Sequence, residues 1–234
     1  MRKAIPWLML CLACSPAAAD PGYYLVTPYS QAGQLAVDLR YWTVKSPGEK
    51  ATLWPELGLR YGVNSRWTTE LFASFIGDAL SEQKLSSWNW QNNVLLTQGQ
   101  YPFDLALHGQ LIHAQGKGKA LELGPVLQTD WGGTQLNLNL FFEHNWARRQ
   151  AGTQLKYQWQ ALRRLRPGLR LGLQGFGELG RWNHWSEQQS HRAGPVLRLG
   201  LPGTASLDLQ LAYLWGKTYG GRGDMFSAQL LLAF

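Results

Sequence analysis

Residues 226 to 234, Phe-Ser-Ala-Gln-Leu-Leu-Leu-Ala-Phe, close the chain and decide the expected fold. Apolar side chains alternate here with mostly small or polar ones, and the last apolar residue is the carboxy-terminal Phe234. A period of two indicates a β-strand with one apolar face. A strand that ends on an aromatic residue is typical of the closing strand of an outer-membrane β-barrel. We therefore expect an assembly signal, read by the barrel-assembly machinery, at Phe226, Leu230, Leu232 and Phe234.

The rest of the chain repeats this pattern, with turn residues between the repeats. The other predicted strands are residues 35–43, 53–61, 67–75, 88–96, 103–111, 120–128, 135–143, 154–160, 169–179, 192–201 and 207–213. The connections alternate between short ones, such as 202–204, and longer polar ones, such as 181–190. Short periplasmic turns and longer external loops are typical of outer-membrane barrels. The sequence thus predicts an all-β fold, a 12-stranded antiparallel up-and-down transmembrane β-barrel.

The amino terminus has the pattern of a secretion signal. Two positive charges follow Met1, residues 4–14 are apolar, and small residues lead to Asp20. This series predicts a signal peptide over residues 1–19, removed by cleavage after Ala19. Residues 20–33 would then form an N-terminal lead-in, either unstructured or a short plug, and residues 34–234 the outer-membrane barrel.

Cysteine content and charge exclude several classes of protein. Cys11 and Cys14 are the two cysteines of the chain, so the mature protein has none and is not a thiol enzyme. Lipidation at Cys14 is an alternative to cleavage after Ala19, although Cys11 stands where a lipoprotein signal has a branched aliphatic residue. The formal net charge is +7. No basic and aromatic residues cluster in the manner of nucleic-acid-binding proteins, so we expect no nucleic-acid partner.

Aromatic residues lie near the predicted strand ends, where an outer-membrane barrel has its interfacial girdles. They are Trp54, Trp67, Trp88, Tyr101, Trp131, Trp146, Trp182, Tyr213 and Trp215. We therefore expect the protein in the outer membrane of a Gram-negative bacterium, in contact with outer-membrane lipid and lipopolysaccharide.

The opposite faces of the strands carry polar side chains, which we expect to line the lumen. The charged and histidine members are Asp38, Arg40, Glu56, Arg60, Glu70, Asp104, His108, Glu122, Glu143, Lys156, Arg170, Glu178, Arg192, Arg198 and Asp208. Acids and bases are mixed, so they either pair and fill the bore or line a narrow pore of weak charge selectivity. A barrel of this strand number lies between small filled barrels and open porins. We favour the narrow pore.

Several short motifs are spread over most of the mature chain. They are Tyr61-Gly62-Val63 with Trp67-Thr68-Thr69-Glu70-Leu71, Leu95 to Tyr101, Gly124 to Leu127, Tyr157 to Gln160 and His191 to Leu197. In these motifs the chain resembles a group of proteobacterial outer-membrane barrel proteins, similar in style to the MetA-pathway phenol-degradation transporter family. The resemblance implies a barrel and the passage of a small solute, with hydrophobic solutes among the candidates. It implies no catalytic residue.

Histidines near the predicted external rim are the remaining candidates for chemistry. His113, His144, His184 and His191 follow no known metal-ligand spacing, so we predict no metal and no cofactor. An acyl hydrolase would need a serine beside a histidine. His144 and the Ser190-His191 pair do not stand in neighbouring positions on one strand face, so no catalytic residue is assigned.

Together these observations favour a porin-like, narrow passive channel or uptake pore for small solutes. The alternatives are a lipid-modifying acyl hydrolase of the outer membrane and a structural envelope protein without transport activity.

Overall fold

The computed structural model describes residues 23–146, 152–201, 206–218 and 221–234, without the side chains of residues 185–188, 218 and 221. Within these ranges, twelve antiparallel strands close into one barrel, in which each strand pairs with its neighbours in sequence. The strands are β1 (Leu35–Lys45), β2 (Thr52–Gly62), β3 (Trp67–Ile76), β4 (Lys84–Leu95), β5 (Asp104–Ala114), β6 (Gly118–Trp131), β7 (Thr134–Asn145), β8 (Thr153–Arg166), β9 (Leu169–Arg181), β10 (His184–Leu201), β11 (Ser206–Thr218) and β12 (Gly221–Ala233). A single 3-10 turn, Leu80–Glu82, lies between β3 and β4. The predicted 12-stranded barrel is confirmed.

Among the residues described, no helix has the length and apolar character needed to cross a membrane.

The barrel closes between its first and last strands. Leu39 of β1 lies opposite Leu230 of β12, and Arg40 lies opposite Gln229. One residue beyond the ladder, the backbone N–H of Phe234 donates to the carbonyl of Leu35 at 2.8 Å. Closure pairs the backbone groups of both terminal strands, and a sheet surrounded by lipid requires this pairing.

The period of two separates an apolar outer surface from a polar interior. Leu59 and Leu71 point outward and are 57% and 62% exposed, whereas Asp38 and Glu70 point inward and are 0% and 1% exposed. A soluble protein has the reverse distribution. The exposed apolar belt therefore fits a barrel surrounded by lipid.

At each end of the barrel, one connection between strands has a length that differs from the sequence prediction. We call the end that holds Leu35 and Ala233 the terminal end, and the other the loop end. At the loop end, β9 and β10 form a hairpin whose connection is only residues 182–183, although a loop over 181–190 was predicted. The longest terminal-end connection, residues 96–103, was expected to be short. The hairpin extends because His184 pairs with Arg181, so backbone pairing continues past the apolar part of the strands.

Most of the predicted girdle aromatics are exposed on the outer surface, including Trp131 and Trp146. Trp54 is the exception and corrects its assignment to the girdle. It shares the inward face of β2 with Glu56, lies opposite Trp42 of β1 and packs against the interior apolar cluster.

Asn92 is a polar residue on the otherwise apolar outer face of β4, and its side chain has a hydrogen-bond partner on β3. Asn92 points outward beside Trp67 of β3, whose indole N–H donates to the Asn92 side-chain oxygen at 3.0 Å. On the same surface, the indole of Trp90 donates to the Thr69 hydroxyl at 2.9 Å. Asn92 and Thr69 are thus each paired with an indole, which lowers the cost of placing them in an apolar surrounding.

Candidate functional site in the barrel lumen

Residues Tyr23 to Ser30 run inside the barrel, and we call them the lumen segment. The rings of Tyr23 and Tyr24 and the side chain of Val26 are almost completely buried. At its carboxyl end the chain turns out of the lumen into β1 at Gly33, which has a φ of 76°. Gly33 is held there by its N–H, which donates to the carbonyl of Gly62 at 2.8 Å. A left-handed conformation of this kind favours glycine.

Contacts along the lumen segment fix its direction. At the terminal end, the Ser30 hydroxyl donates to the carbonyls of Asn64 and Trp67 at 2.7 and 3.0 Å. Nearer the loop end, the ring of Tyr23 meets those of Trp42 and Phe176 edge to face, with centroids 5.9 and 5.7 Å apart. The segment therefore reaches from the terminal end toward the loop end of the bore.

The largest group of buried charges lies on β1, β2 and β3, and we call it the Arg40 cluster. The Arg40 guanidinium contacts Asp38 at 2.7 Å, Glu56 at 3.5 Å and also Glu70. Arg60 contacts Asp38 at 2.7 Å and Glu70 at 3.0 Å. Buried charges lose hydration, so they are tolerated only with close partners of opposite sign. Each carboxylate of the cluster has such a partner.

Tyr24 ties the lumen segment to the Arg40 cluster. The guanidinium carbon of Arg40 lies 3.6 Å from the ring centroid of Tyr24 and 4.8 Å from that of Phe72. The Tyr24 hydroxyl donates to the side-chain oxygen of Gln91 on β4. The two rings meet edge to face, with centroids 6.1 Å apart, and both lie beside the cation. A ring–cation contact of this kind stabilises a desolvated guanidinium by about 2 kcal/mol.

A second buried cluster crosses β5, β6, β7 and β8. Lys156 donates to Glu122 at 3.0 Å and to Glu143. His108 lies beside them, with Nε2 3.3 Å from a Glu122 oxygen and Nδ1 2.8 Å from the side-chain oxygen of Asn93. A cavity of about 20 Å³ separates part of this cluster from the lumen segment. A cavity of that size holds one water molecule.

A third cluster lies around Tyr23. Arg192 donates to the Tyr23 hydroxyl and, at 2.8 Å, to the Ser190 hydroxyl. The Tyr23 hydroxyl in turn donates to Glu178 at 3.2 Å. The guanidinium carbon of Arg192 also lies 4.5 Å from the centroid of the Tyr23 ring. Both tyrosines of the lumen segment therefore have the guanidinium of a buried arginine beside their rings, but the Tyr23 hydroxyl contacts charged groups whereas the Tyr24 hydroxyl contacts the neutral Gln91.

Amide side chains of the barrel satisfy the backbone of the lumen segment. The Val26 N–H donates to Gln158 at 3.2 Å, and the Val26 carbonyl accepts from Asn139 at 2.9 Å. Asn139 also donates to Gln158 at 2.9 Å. A buried backbone group without such a partner would cost stability. Side chains of the barrel thus make the hydrogen bonds to the Val26 backbone that neighbouring strands would make in a sheet.

Between the lumen segment and the terminal end lies a cavity of about 730 Å³, which we call the vestibule. Its charged lining residues are Arg60, Asp130, Arg170, Arg198 and Asp208. The polar residues beside them are Tyr29, Ser30, Gln128 and Gln135. The vestibule is large enough for a small organic solute.

Two contacts organise the vestibule wall. Arg198 holds Asp208 in a two-pronged pair, at 2.9 Å from Nε and 2.7 Å from Nη2. Across the vestibule, the Tyr29 hydroxyl donates to Asp104 at 2.7 Å. Burial, reinforced by the hydrogen bond to Asp104 and its negative charge, raises the pKa of Tyr29 above its usual value. Tyr29 therefore remains a hydrogen-bond donor at neutral pH.

The structure places the predicted lumen side chains on the inner face and brings most of them into the clusters and the vestibule described above. The Arg40 cluster is packed, so the alternative in which paired charges fill the bore describes this conformation better than an open pore does.

Sequence reasoning missed the contribution of Tyr23, Tyr24 and Val26. The signal that points to them is the apolar run directly after the predicted cleavage site, since such residues need burial.

The histidines considered for catalysis do not meet a serine. His144 Nδ1 lies 3.3 Å from the hydroxyl of Thr153 on the outer surface. Ser190 points inward and donates to the Lys217 carbonyl at 3.2 Å, whereas His191, the next residue, lies 2.9 Å from the Tyr157 hydroxyl. Neighbouring residues of a strand point to opposite faces, which keeps Ser190 and His191 apart. Within the described ranges, no three His, Cys, Asp or Glu side chains are grouped to hold a metal ion.

Three solved structures share the architecture. The COG4313 outer membrane channel from Pseudomonas putida F1 is 13% identical with a TM-score of 0.64, covering 93% of this chain and 100% of the channel. The NanC porin is 9% identical with a TM-score of 0.63, covering 84% of this chain and 98% of the porin. The outer membrane phospholipase A from Escherichia coli is 12% identical with a TM-score of 0.50, covering 92% and 94%.

No protein-family model matches the chain, and no curated protein matches it by sequence. The structural neighbours include channels and an enzyme, so the shared architecture does not select between these activities. What the comparisons and the closed 12-stranded sheet show is that this chain has the fold of the outer-membrane β-barrels.

Proposed function

We propose that the protein is a channel of the bacterial outer membrane for small polar solutes, and that the lumen segment closes it at rest. In outer-membrane barrels the short turns lie on the periplasmic side, which is the end that also holds both ends of the barrel chain. By this topology the vestibule would open to the periplasm, and the loop end would face the exterior. Two structural neighbours are a porin and an outer membrane channel, which supports this class of function for the same architecture.

The observation that carries the proposal is the way the lumen segment is attached. It belongs to no ladder of the sheet, and barrel side chains such as Gln158 and Asn139 hold it in place. Gly33 supplies a turn at its periplasmic end. A segment that is held by side chains and joined to the sheet through one turn can leave the bore without any loss of strand pairing. The channel can therefore open while the β-barrel itself stays intact.

The side chains that line the bore behind the lumen segment favour a polar solute over an apolar one. Gln160 donates to Gln174 at 2.9 Å and to Gln210 at 3.1 Å, so amides continue across β8, β9 and β11. Amide groups both donate and accept hydrogen bonds and carry no charge. This part of the bore would offer hydrogen bonds to small hydrophilic solutes, and charge selection would come from the charged residues elsewhere in the lumen.

A reversible lock on the lumen segment tests the proposal. Cysteines replace Val26 and Gln158, whose backbone and side chain are in hydrogen-bond contact. Both native cysteines precede residue 15, so the predicted mature chain has no competing thiol. Conductance is recorded in planar bilayers before and after reduction. We expect a silent oxidised barrel, and current of the wild-type level after reduction.

The control is the single V26C variant treated with the same oxidant, which should conduct like the wild type. Equal current from the oxidised and the reduced double variant, in protein whose disulfide is verified by loss of free-thiol labelling, would show that the lumen segment does not close the bore. Absence of current from the wild type, the reduced double variant and a variant that lacks the Tyr24 ring would overturn the channel function itself.

A further inference from the structure

Three arginines stand side by side at the terminal end of the barrel. Arg170 of β9 lies directly opposite Arg164 of β8 on one side and Arg198 of β10 on the other. Arg164 has the same strand parity as the inward-facing Gln160 and Leu162, and it is exposed at the rim. We call these residues the arginine row.

The arginine row is unfavourable for an empty barrel. Like charges directly opposite each other on neighbouring strands repel and destabilise the sheet. The guanidinium of Arg198 is compensated by Asp208. Arg170 instead donates to the neutral side-chain oxygen of Gln135, and no ion pair found among the described residues includes it. One guanidinium in the middle of the row thus lacks a directly paired carboxylate.

The position of the arginine row makes it accessible to a solute. Arg170 and Arg198 line the vestibule, whereas Arg164 is exposed near the terminal end of β8. Arg60 also lines the vestibule, but Asp38 and Glu70 already neutralise it. Positive charge without a direct acidic partner is therefore concentrated on the β8–β10 side of the vestibule. A local conflict of this kind is expected at functional sites.

We propose that the arginine row binds the oxyanion group, carboxylate or phosphate, of a small solute in the vestibule. Arg170 would donate to the oxyanion in the fork geometry typical of guanidinium groups, and the exposed Arg164 would add its charge from the neighbouring strand. The Gln135 amide, already beside Arg170, would supply a neutral donor. As a solute site the arginine row rests on the proposed channel function, although binding itself requires no conduction.

Calorimetry on the purified full-length barrel in non-ionic detergent tests the site, with citrate and inorganic phosphate as separate probes. The wild type should bind at least one of them, and R170Q should bind it at least about tenfold more weakly, the usual consequence of losing a charge-assisted hydrogen bond. Heat with citrate alone assigns a carboxylate solute, and heat with phosphate alone a phosphate ester. No heat with either probe overturns the proposal.

Two further measurements separate binding from a purely structural role. R170Q should raise the melting temperature of the empty barrel, because it removes repulsion within the arginine row. R163Q is the matched control: Arg163 lies one residue from Arg164 and contacts Thr134 and the Gly132 carbonyl instead. R163Q should bind the probe like the wild type. A lower melting temperature for R170Q, or equal weakening by R163Q, would overturn the proposal.

The experiments can overturn the oxyanion site and the channel function separately. If citrate or phosphate binds but no variant conducts, the oxyanion site stands and the channel function falls. If the barrel conducts and neither probe binds, the channel function stands and the site falls.

Discussion

The Arg40 guanidinium carbon lies 3.6 Å from the ring centroid of Tyr24, while the same guanidinium contacts Asp38 at 2.7 Å. This contact joins the lumen segment, which is not part of the sheet, to the buried charges that hold β1, β2 and β3 together. A change at Tyr24 should therefore act on closure of the bore, and a change in the Arg40 cluster on stability of the barrel.

Substitution Y24A should open the channel more often. It removes a ring–cation contact worth about 2 kcal/mol in a desolvated site, so the closed state loses stability relative to the open one. Single-channel recording should show a higher open probability than for the wild type. Y213A serves as the control, because Tyr213 is exposed on the outer surface of β11 and is not part of the lumen segment. An unchanged open probability for Y24A would contradict the role of Tyr24 in closure.

Substitution R40Q should destabilise the barrel by about 3–5 kcal/mol, because it leaves the buried carboxylates of Asp38, Glu56 and Glu70 with Arg60 as the remaining cation of the cluster. Unfolding in urea, followed by tryptophan fluorescence, measures the change. D208N is the matched control: its pair with Arg198 is about 30% exposed on both sides. An exposed pair contributes about 0–1 kcal/mol. Similar losses for R40Q and D208N would disagree with the burial argument.

Substitution G124A should prevent normal folding. A Cβ at Gly124 would lie 1.8 Å from the carbonyl oxygen of Leu140 on β7, so strand β6 would have to shift. Overpacking typically costs about 1–3 kcal/mol, and more where, as here, the clash is with backbone that side-chain rotation cannot relieve. G200A provides the control, since a Cβ there meets nothing within 4 Å. Heat-modifiable migration in gels distinguishes folded from unfolded barrels, and a folded G124A barrel would refute the expectation.

Deletion of Phe234 should impair assembly of the barrel in the outer membrane. It removes the N–H that donates to the Leu35 carbonyl at 2.8 Å, together with the proposed aromatic assembly signal. The amount of heat-modifiable barrel in the membrane fraction measures the effect. F234L keeps the backbone bond and an apolar side chain, so it isolates the contribution of the ring. Wild-type amounts for the deletion would argue against both contributions.

The alternation of side chains could be predicted from the sequence because it is a local property. Successive residues of a strand point to opposite faces, so the pattern around Asp38 and Arg40 assigns both to the inner face. The same argument misplaced Trp54, because aromatic character alone does not separate the lipid girdle from the interior. It also misjudged the β9–β10 hairpin, whose length depends on whether His184 finds Arg181 as its partner.

The sequence by itself determined the number of strands, their faces and the closure between β1 and β12, since a period of two and turn residues act over short distances. Only the tertiary structure decided where the lumen segment lies and which charges meet. Val26 and Gln158 contact each other across 132 positions of sequence, and Arg164, Arg170 and Arg198 share a row through strand register. Such contacts arise when the sheet closes, because closure fixes the register of every strand at once.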